Sequence, residues 1–175
     1  MILVIKVNKF ELHDEEFVRP VTQLLKDFKV IHYKKFKKSD LEKSEKVIIC
    51  GTALKDNGFI SDLEKFSWLK ECNKPVLGIC AGMEIIGTVF NCPLKKSAEI
   101  GMTKIKTVKE NRLFSSEFEA YSLHNYSVNK SDEVEVIAKS GNCINAIKVR
   151  DKEIYGVLFH PEVRNQKIIS NFLKI

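Results

Sequence analysis

Apolar residues fall in short blocks along the chain, and the spacing within each block switches between helix-like and strand-like signatures. Met1–Val7 is a short apolar run that ends near Asn8 and predicts a strand. From Glu15 to Phe28 the positions Phe17, Val18, Val21, Leu24, Leu25 and Phe28 recur at helical spacing, with Asp14 as N-cap and Pro20 as a kink or a delayed start. Val30–Tyr33 and Lys46–Cys50 read as further strands, and Phe59–Trp68 as a second helix. Lys74–Cys80 predicts a buried strand that runs into a helix from about Gly82. Strands alternating with helices imply an α/β fold, an open, mostly parallel sheet with helices on both faces. After Phe90 the texture changes. Lys104–Val108, Ala120–Ser122, Val134–Ala138, Ala146–Arg150 and Ile154–Phe159 are rich in β-branched and aromatic residues, so the later strands are expected to be partly antiparallel. Ile168–Leu173 predicts a closing amphipathic helix.

No repeat or Gly/Ser-rich linker divides the 175 residues, and residues 1–175 are expected to form one domain that buries about 70% of its unfolded surface. No apolar run approaches the roughly 18 residues of a membrane span, and no signal peptide is read at the N-terminus. The five cysteines form no CxxC pair and their number is odd, which argues against a zinc site and a disulfide framework. Reduced, mostly buried thiols and a cytoplasmic location are expected, with no metal and no cofactor. The net charge of +6 is compatible with an acidic partner. The single basic run with interleaved aromatics, Tyr33–Lys38, is too short for a nucleic-acid footprint, and it reads as a solvated strand end and loop.

Two segments carry chemistry. Gly78-Ile-Cys80-Ala-Gly82 lies between a predicted strand and a predicted helix. This is the elbow arrangement, in which small flanking residues permit a sharp turn and the helix N-terminus favours a thiolate. Farther along, a predicted strand ends in Phe159-His160-Pro161-Glu162. Residues two apart on extended backbone point the same way, so Glu162 is placed to orient His160 as the third group of a triad does.

With these residues in view, Pro75-Val-Leu-Gly-Ile-Cys-Ala-Gly-Met83 and Tyr155-Gly-Val-Leu-Phe-His-Pro-Glu-Val163 resemble the two signature blocks of the class I (triad) glutamine amidotransferases. Glu99-Ile-Gly101 resembles the family's Glu-x-Gly segment, and Tyr121–Tyr126 falls where the family has a His-containing strand lining the glutamine site. The order of segments is most similar to the glutaminase members that serve GMP synthetase. The resemblance implies a flavodoxin-like fold and a glutaminase with Cys80 as nucleophile, His160 as acid and base, and Glu162 as its orienting group. It implies an oxyanion hole from the backbone of Gly51, Thr52 and Ala81. Asn125 and Tyr126 would bind glutamine through their backbone, and His124 would either line a partner face or be a buried histidine with its hydrogen bonds satisfied. The partner implied is a separate ATP-dependent synthetase that receives the ammonia, since this chain is expected to hold no acceptor-activating domain.

The pattern departs from the family at several places. Glu84 stands where the family usually has Gln, in the substrate-binding region one helical turn above Cys80. A second negative charge ~6 Å from the sulfur, at an effective dielectric of ~20, would disfavour the thiolate by up to about 3 kcal/mol. The family's Ser-Gly-Gly-Pro loop is here Cys50-Gly51-Thr52-Ala53, and a β-branched residue would be strained if the loop requires positive φ. The Ser-His-Gly-Asp of the GMP synthetase members is replaced by Leu123-His-Asn-Tyr126. Two alternatives to a glutaminase therefore stand: a catalytically weakened homologue with a binding or regulatory role, and a hydrolase of another γ-glutamyl compound.

Overall fold

The structure is a computed structural model that describes residues 1–141 and 143–175. Its strands are β1 (Ile2–Lys6), β2 (Phe28–His32), β3 (Lys46–Ile49), β4 (Val76–Ile79), β5 (Leu94–Thr107), β6 (Phe118–Val128), β7 (Val134–Ser140), β8 (Cys143–Val149) and β9 (Ile154–Val157). They join in one sheet of order β2-β1-β3-β4-β9-β8-β7-β5-β6. From β2 to β9 every neighbouring pair is parallel. From β9 to β6 every pair is antiparallel. The parallel half, with β9 as its fifth strand, has the flavodoxin-like order.

The continuous apolar character of β1, β3, β4 and β9 follows from cover on both faces. Alternate residues enter opposite cores. Leu3, Ile5, Val47 and Ile49 pack against Met83, Ile85 and Ile86 of helix α4 (Ala81–Val89) and against Phe59, Phe66 and Leu69. Val4, Ile48, Leu77 and Ile79 pack on the other side. There they meet Val21 of the one-turn helix α2 (Arg19–Thr22) and Ile168, Ile169 and Phe172 of α5 (Lys167–Leu173). Each such fully buried side chain contributes roughly 1.5–3 kcal/mol of transfer free energy. The expected parallel core, the antiparallel later strands and the closing helix are all present, and the antiparallel half is longer than the sequence pattern suggests.

Three local expectations are corrected. The helix expected over 15–28 is split into two single turns, α1 (Asp14–Phe17) and α2, with Val18 at φ −107 between them, and β2 already begins at Phe28. Pro20 lacks the N–H that a continuous helix would need and sits in the first turn of α2, where that loss costs least. Asp14 does not cap; its carboxylate accepts from Lys6 Nζ at 2.5 Å and Asn8 Nδ2 at 2.8 Å. The stretch Gly58–Lys70 has 3-10 rather than α geometry, broken at Asp62 (φ −119, ψ 22). The basic run Tyr33–Lys38 is a 3-10 turn leading into a short helix, α3 (Lys38–Glu42). Its aromatics face inward: Tyr33 Oη donates to Asp62 at 2.7 Å and Phe36 stacks on Trp68 at 4.9 Å, so neither ring is free to stack on a base. Among the described residues no helix is long and apolar enough to cross a membrane.

The crossing of α4 over the sheet depends on two glycines. A Cβ on Gly78 would lie 2.4 Å from Gly82 O, and one on Gly82 would lie 2.4 Å from Ile49 O. Both obstacles are backbone and cannot rotate aside. Gly82→Ala is therefore expected to destabilise the fold by about 3 kcal/mol or more, read as a lowered urea midpoint. A midpoint equal to that of the parent chain would show that α4 does not need this close approach.

Candidate active site

The side chains singled out in the sequence gather at the C-terminal ends of β3, β4 and β9, the edge where doubly wound sheets bind ligands. Cys80 connects β4 to α4 at φ +51 and ψ −106, a conformation that side chains rarely adopt. It is locked there from both sides. Its N–H donates to Val157 O of β9 at 2.8 Å, and its carbonyl accepts from Met83 N at 2.9 Å and Glu84 N at 3.1 Å in the first turn of α4. The strained residue thus presents its sulfur at the helix N-terminus, where partial positive charge favours an anion. The thiol donates to the carbonyl of Leu123 on β6 at 3.4 Å.

His160 follows β9, and its N–H donates to Tyr121 O of β6 at 2.8 Å. Its Nδ1–H donates to Glu162 Oε1 at 2.7 Å, with both side chains buried. The opposite nitrogen, Nε2, is buried without a hydrogen-bond partner among the described residues. Burial alone would push this imidazole down, but the adjacent Cys80 charge and the Glu162 carboxylate outweigh it, so His160 is held well above the usual histidine range. Gly51 sits between base and nucleophile. A Cβ there would lie 2.9 Å from His160 Cε1 and 3.3 Å from Cys80 Cβ, so the absence of a side chain is what lets the two groups approach.

A narrow cleft opens beside the sulfur. Thr52, Ala81, Glu84, His124, Asn125 and Tyr126 line it together with Cys80. Thr52 is not at positive φ, so the strain feared for a β-branched residue does not arise, and its hydroxyl donates to Asp56 at 3.0 Å. Asp56 also accepts the Lys9 N–H at 2.5 Å and so ties the loop after β3 to the loop after β1. Asn125 donates its side-chain amide to Leu54 O at 3.1 Å. Glu84 is 5% exposed, and burial pushes its carboxyl up to about 8, so at neutral pH it is mostly uncharged. The repulsion of a thiolate expected from this residue is largely absent, and a neutral carboxyl can donate a hydrogen bond as an amide does.

Of the two readings of His124, the structure has the buried one. Its side chain is buried, with Nδ1 bonded to Ser97 O at 3.0 Å and Nε2 facing Glu99 Oε2 at 3.2 Å. The sequence pattern gave no sign of Asp56 or of the carbonyls of Tyr121 and Leu123. A backbone carbonyl leaves no trace in residue type, and Asp56 is one acid among many in a loop. The geometry assembles a sulfur at a helix N-terminus, a buried imidazole oriented by a carboxylate, and a small cleft beside the sulfur. Such a set can perform acyl transfer.

The chain belongs to the class I glutamine amidotransferase family, whose family profile, Glutamine amidotransferase class-I, matches residues 14–174. Among its relatives, the glutamine-hydrolyzing GMP synthase subunit of Methanocaldococcus jannaschii is 38% identical over 112 residues, 58% of this chain and 60% of that protein. The chain thus spans about three fifths of the length of this relative. The corresponding protein of Sulfolobus acidocaldarius is 30% identical over 131 residues, 66% of this chain and 70% of that protein. Among solved structures, a Thermoplasma acidophilum chain described as a GMP synthase subunit superposes with a TM-score of 0.84 at 24% identity. That superposition covers 99% of this chain and 93% of the other, and it speaks to the fold alone.

A carboxyl whose folded pKa exceeds its unfolded value binds more protons when folded. The Glu84 contribution is therefore present below its ordinary value of 4.5 and is lost as pH rises through about 8. Urea unfolding across that interval is expected to show stability falling with pH, with Glu84 contributing up to about 4 kcal/mol. Glu84→Gln is expected to flatten the slope, and an unchanged slope would mean that Glu84 is already ionised at neutral pH.

Proposed function

We propose that the chain is a glutaminase that hydrolyses the side-chain amide of glutamine and hands the ammonia to a separate ATP-dependent synthetase, GMP synthetase being the partner its relatives suggest. The observation that carries this reading is the convergence of the strained Cys80 elbow and the His160–Glu162 pair on the two sides of Gly51. In the proposed cycle the reactive form is the ion pair in which the Cys80 proton resides on His160 Nε2, the nitrogen with no protein partner among the described residues. The thiolate attacks the amide carbon, and the C–N bond breaks as His160 returns the proton to the departing nitrogen. Ammonia leaves and a glutamyl thioester remains. Water then attacks the thioester carbon, giving its proton to His160, and glutamate departs as sulfur regains a proton. Glu162 holds the imidazole in the tautomer that keeps Nε2 available.

The oxyanion formed in both tetrahedral intermediates would be met by the N–H of Ala81, at the start of α4, and by N–H groups of the Gly51–Thr52 loop. Asn125 and Tyr126 would bind the amino-acid end of glutamine through their backbone. Glu84 in its neutral form can stand in for the amide of the family pattern. Its lack of charge also weighs against a cationic γ-glutamyl substrate, and the relaxed backbone at Thr52 weighs against a disabled oxyanion hole.

Cys80→Ala is expected to abolish ammonia release from glutamine, measured with the candidate synthetase and its nucleotide substrate present. Loss of a triad member typically costs about 10⁴-fold or more. The parent chain is expected to form a glutamyl adduct at Cys80 detectable by mass spectrometry after acid quench. Failure to find either ammonia or adduct in any partner condition would exclude the reading. Glu84→Gln is expected to retain activity and to extend its upper pH limit beyond about 8. A large loss at neutral pH would show that the carboxyl does more than mimic an amide.

A further inference from the structure

Behind the strand that lines the cleft lies a second group of polar side chains that the proposed reaction does not use. Glu99 of β5, His124 of β6 and Cys143 of β8 bring a carboxylate oxygen, a ring nitrogen and a sulfur within 4.8 Å of one another. His124 and Cys143 are buried, at 2% and 5% exposure. The three residues come from three strands and are spread widely along the sequence, so no spacing motif announces them.

The hydrogen bonds define what His124 offers to this group. A backbone carbonyl can only accept, so the 3.0 Å contact between Nδ1 and Ser97 O fixes the proton on Nδ1. In the neutral ring, Nε2 then turns a lone pair toward Glu99 Oε2, 3.2 Å away, and that oxygen is itself an acceptor. Two acceptors at this distance require a proton or a cation between them. Metal-binding histidines have this same arrangement, with the far N–H given to a backbone carbonyl and the near nitrogen free. The separation fits as well: two ligands each ~2.0–2.1 Å from a tetrahedral zinc ion lie about 3.3 Å apart.

The surroundings are ordered around the carboxylate. Ser140 Oγ donates to Glu99 Oε1 at 2.5 Å, and Asn145 Nδ2 donates to Oε2 at 3.0 Å. Each carboxylate oxygen keeps further lone-pair capacity. Asn145 is fully buried, and its Oδ1 has no partner among the described residues. The pairing of β5 with β6 shifts register between Lys96 and Glu99, the irregularity that turns Ser97 O toward the histidine. Bulges of this kind commonly re-aim side chains next to functional sites.

We propose that Glu99, His124 and Cys143 form a binding site for a thiophilic divalent cation, Zn²⁺ being the ion whose ligand preferences fit the set, with a water completing four-coordination. On binding, the Cys143 S–H proton is released to solvent, and a sulfur–metal bond replaces it. The carboxylate and thiolate together neutralise the ion's two charges. The ion would fasten β5, β6 and β8 together immediately behind Leu123–Tyr126, the segment that faces the cleft. The alternative occupant is a proton, which would make the pair a buried imidazolium and carboxylate with the sulfur uninvolved.

Cobalt separates the two, because a thiolate bound to Co²⁺ gives near-ultraviolet charge-transfer absorption and a tetrahedral site gives visible bands. The full chain carrying Cys80→Ser, which removes the cleft sulfur, is titrated with Co²⁺ under a non-coordinating reductant. One equivalent is expected to bind with both sets of bands, and Zn²⁺ is expected to bleach them. Adding Cys143→Ser is expected to remove the charge-transfer band. Glu99→Gln, nearly isosteric, is expected to weaken Co²⁺ binding by at least the ~10-fold that outer-shell changes already cost, and it serves as the decisive variant if Cys143→Ser does not fold. Absence of stoichiometric binding, a charge-transfer band that survives loss of Cys143, or unchanged affinity in Glu99→Gln would each overturn the proposal and leave the proton as the occupant.

Discussion

The rest of the structure depends on one backbone conformation, that of Cys80 at φ +51 between a buried strand and a buried helix. A residue with a side chain costs of order 1–3 kcal/mol in such a region and persists only where its neighbours leave no alternative. Here the neighbours are the β9 carbonyl that accepts the Cys80 N–H, the first-turn amides of α4 that close on its own carbonyl, and two glycines that let α4 descend almost onto the end of β3. Residues Ala81–Gly87 of α4 are all buried, so the helix cannot tilt away to relieve the turn without exposing the core on its face of the sheet. The packing of the sheet thus fixes the position of one sulfur.

The same packing governs the charges. His160 is buried yet raised well above the usual histidine range by the neighbouring Cys80 and Glu162, whereas Glu84, buried with no cation beside it among the described residues, is driven toward neutrality. Two titratable groups on either side of one thiol are thus moved in directions that keep the sulfur's surroundings electrostatically balanced. The departure from the family pattern at Glu84 costs less than its charge suggests, because the helix that carries it also strips its solvent.

Most of this was legible in the sequence where one short segment decides the outcome. Gly78–Gly82 and Phe159–Glu162 each specify a turn, a strand end and a side-chain direction within a few residues. The segments that misled are those whose geometry is set from outside. The apolar spacing from Phe17 to Phe28 is helical, but the chain breaks it at Val18 and returns to the sheet at Phe28 to pair with β1. Phe59, Phe66 and Leu69 do face the core, yet a kink at Asp62, whose carboxylate is claimed by Tyr33, Lys34 and Lys65, keeps the stretch from becoming α-helical. The long hairpin of β5 and β6 was visible only at Lys104–Val108 and Ala120–Ser122, because much of β5 is exposed and lysine-rich and lacks the apolar alternation that marks a strand. His124 could not be placed from sequence, since its burial depends on Ser97 and Glu99 across the hairpin.

Within that hairpin, Tyr121 and Leu123 are two residues apart on β6, so their carbonyls project from the same edge; one holds the main chain of His160 and the other holds the sulfur of Cys80. The strand acts as a ruler with a step of ~6.6–6.8 Å, and it spaces imidazole and thiol by a single backbone repeat. Sliding it by one position would turn both carbonyls outward at once, leaving no intermediate setting. Alignment of the imidazole with the sulfur is therefore digital, fixed by which residue of the hairpin lies opposite which.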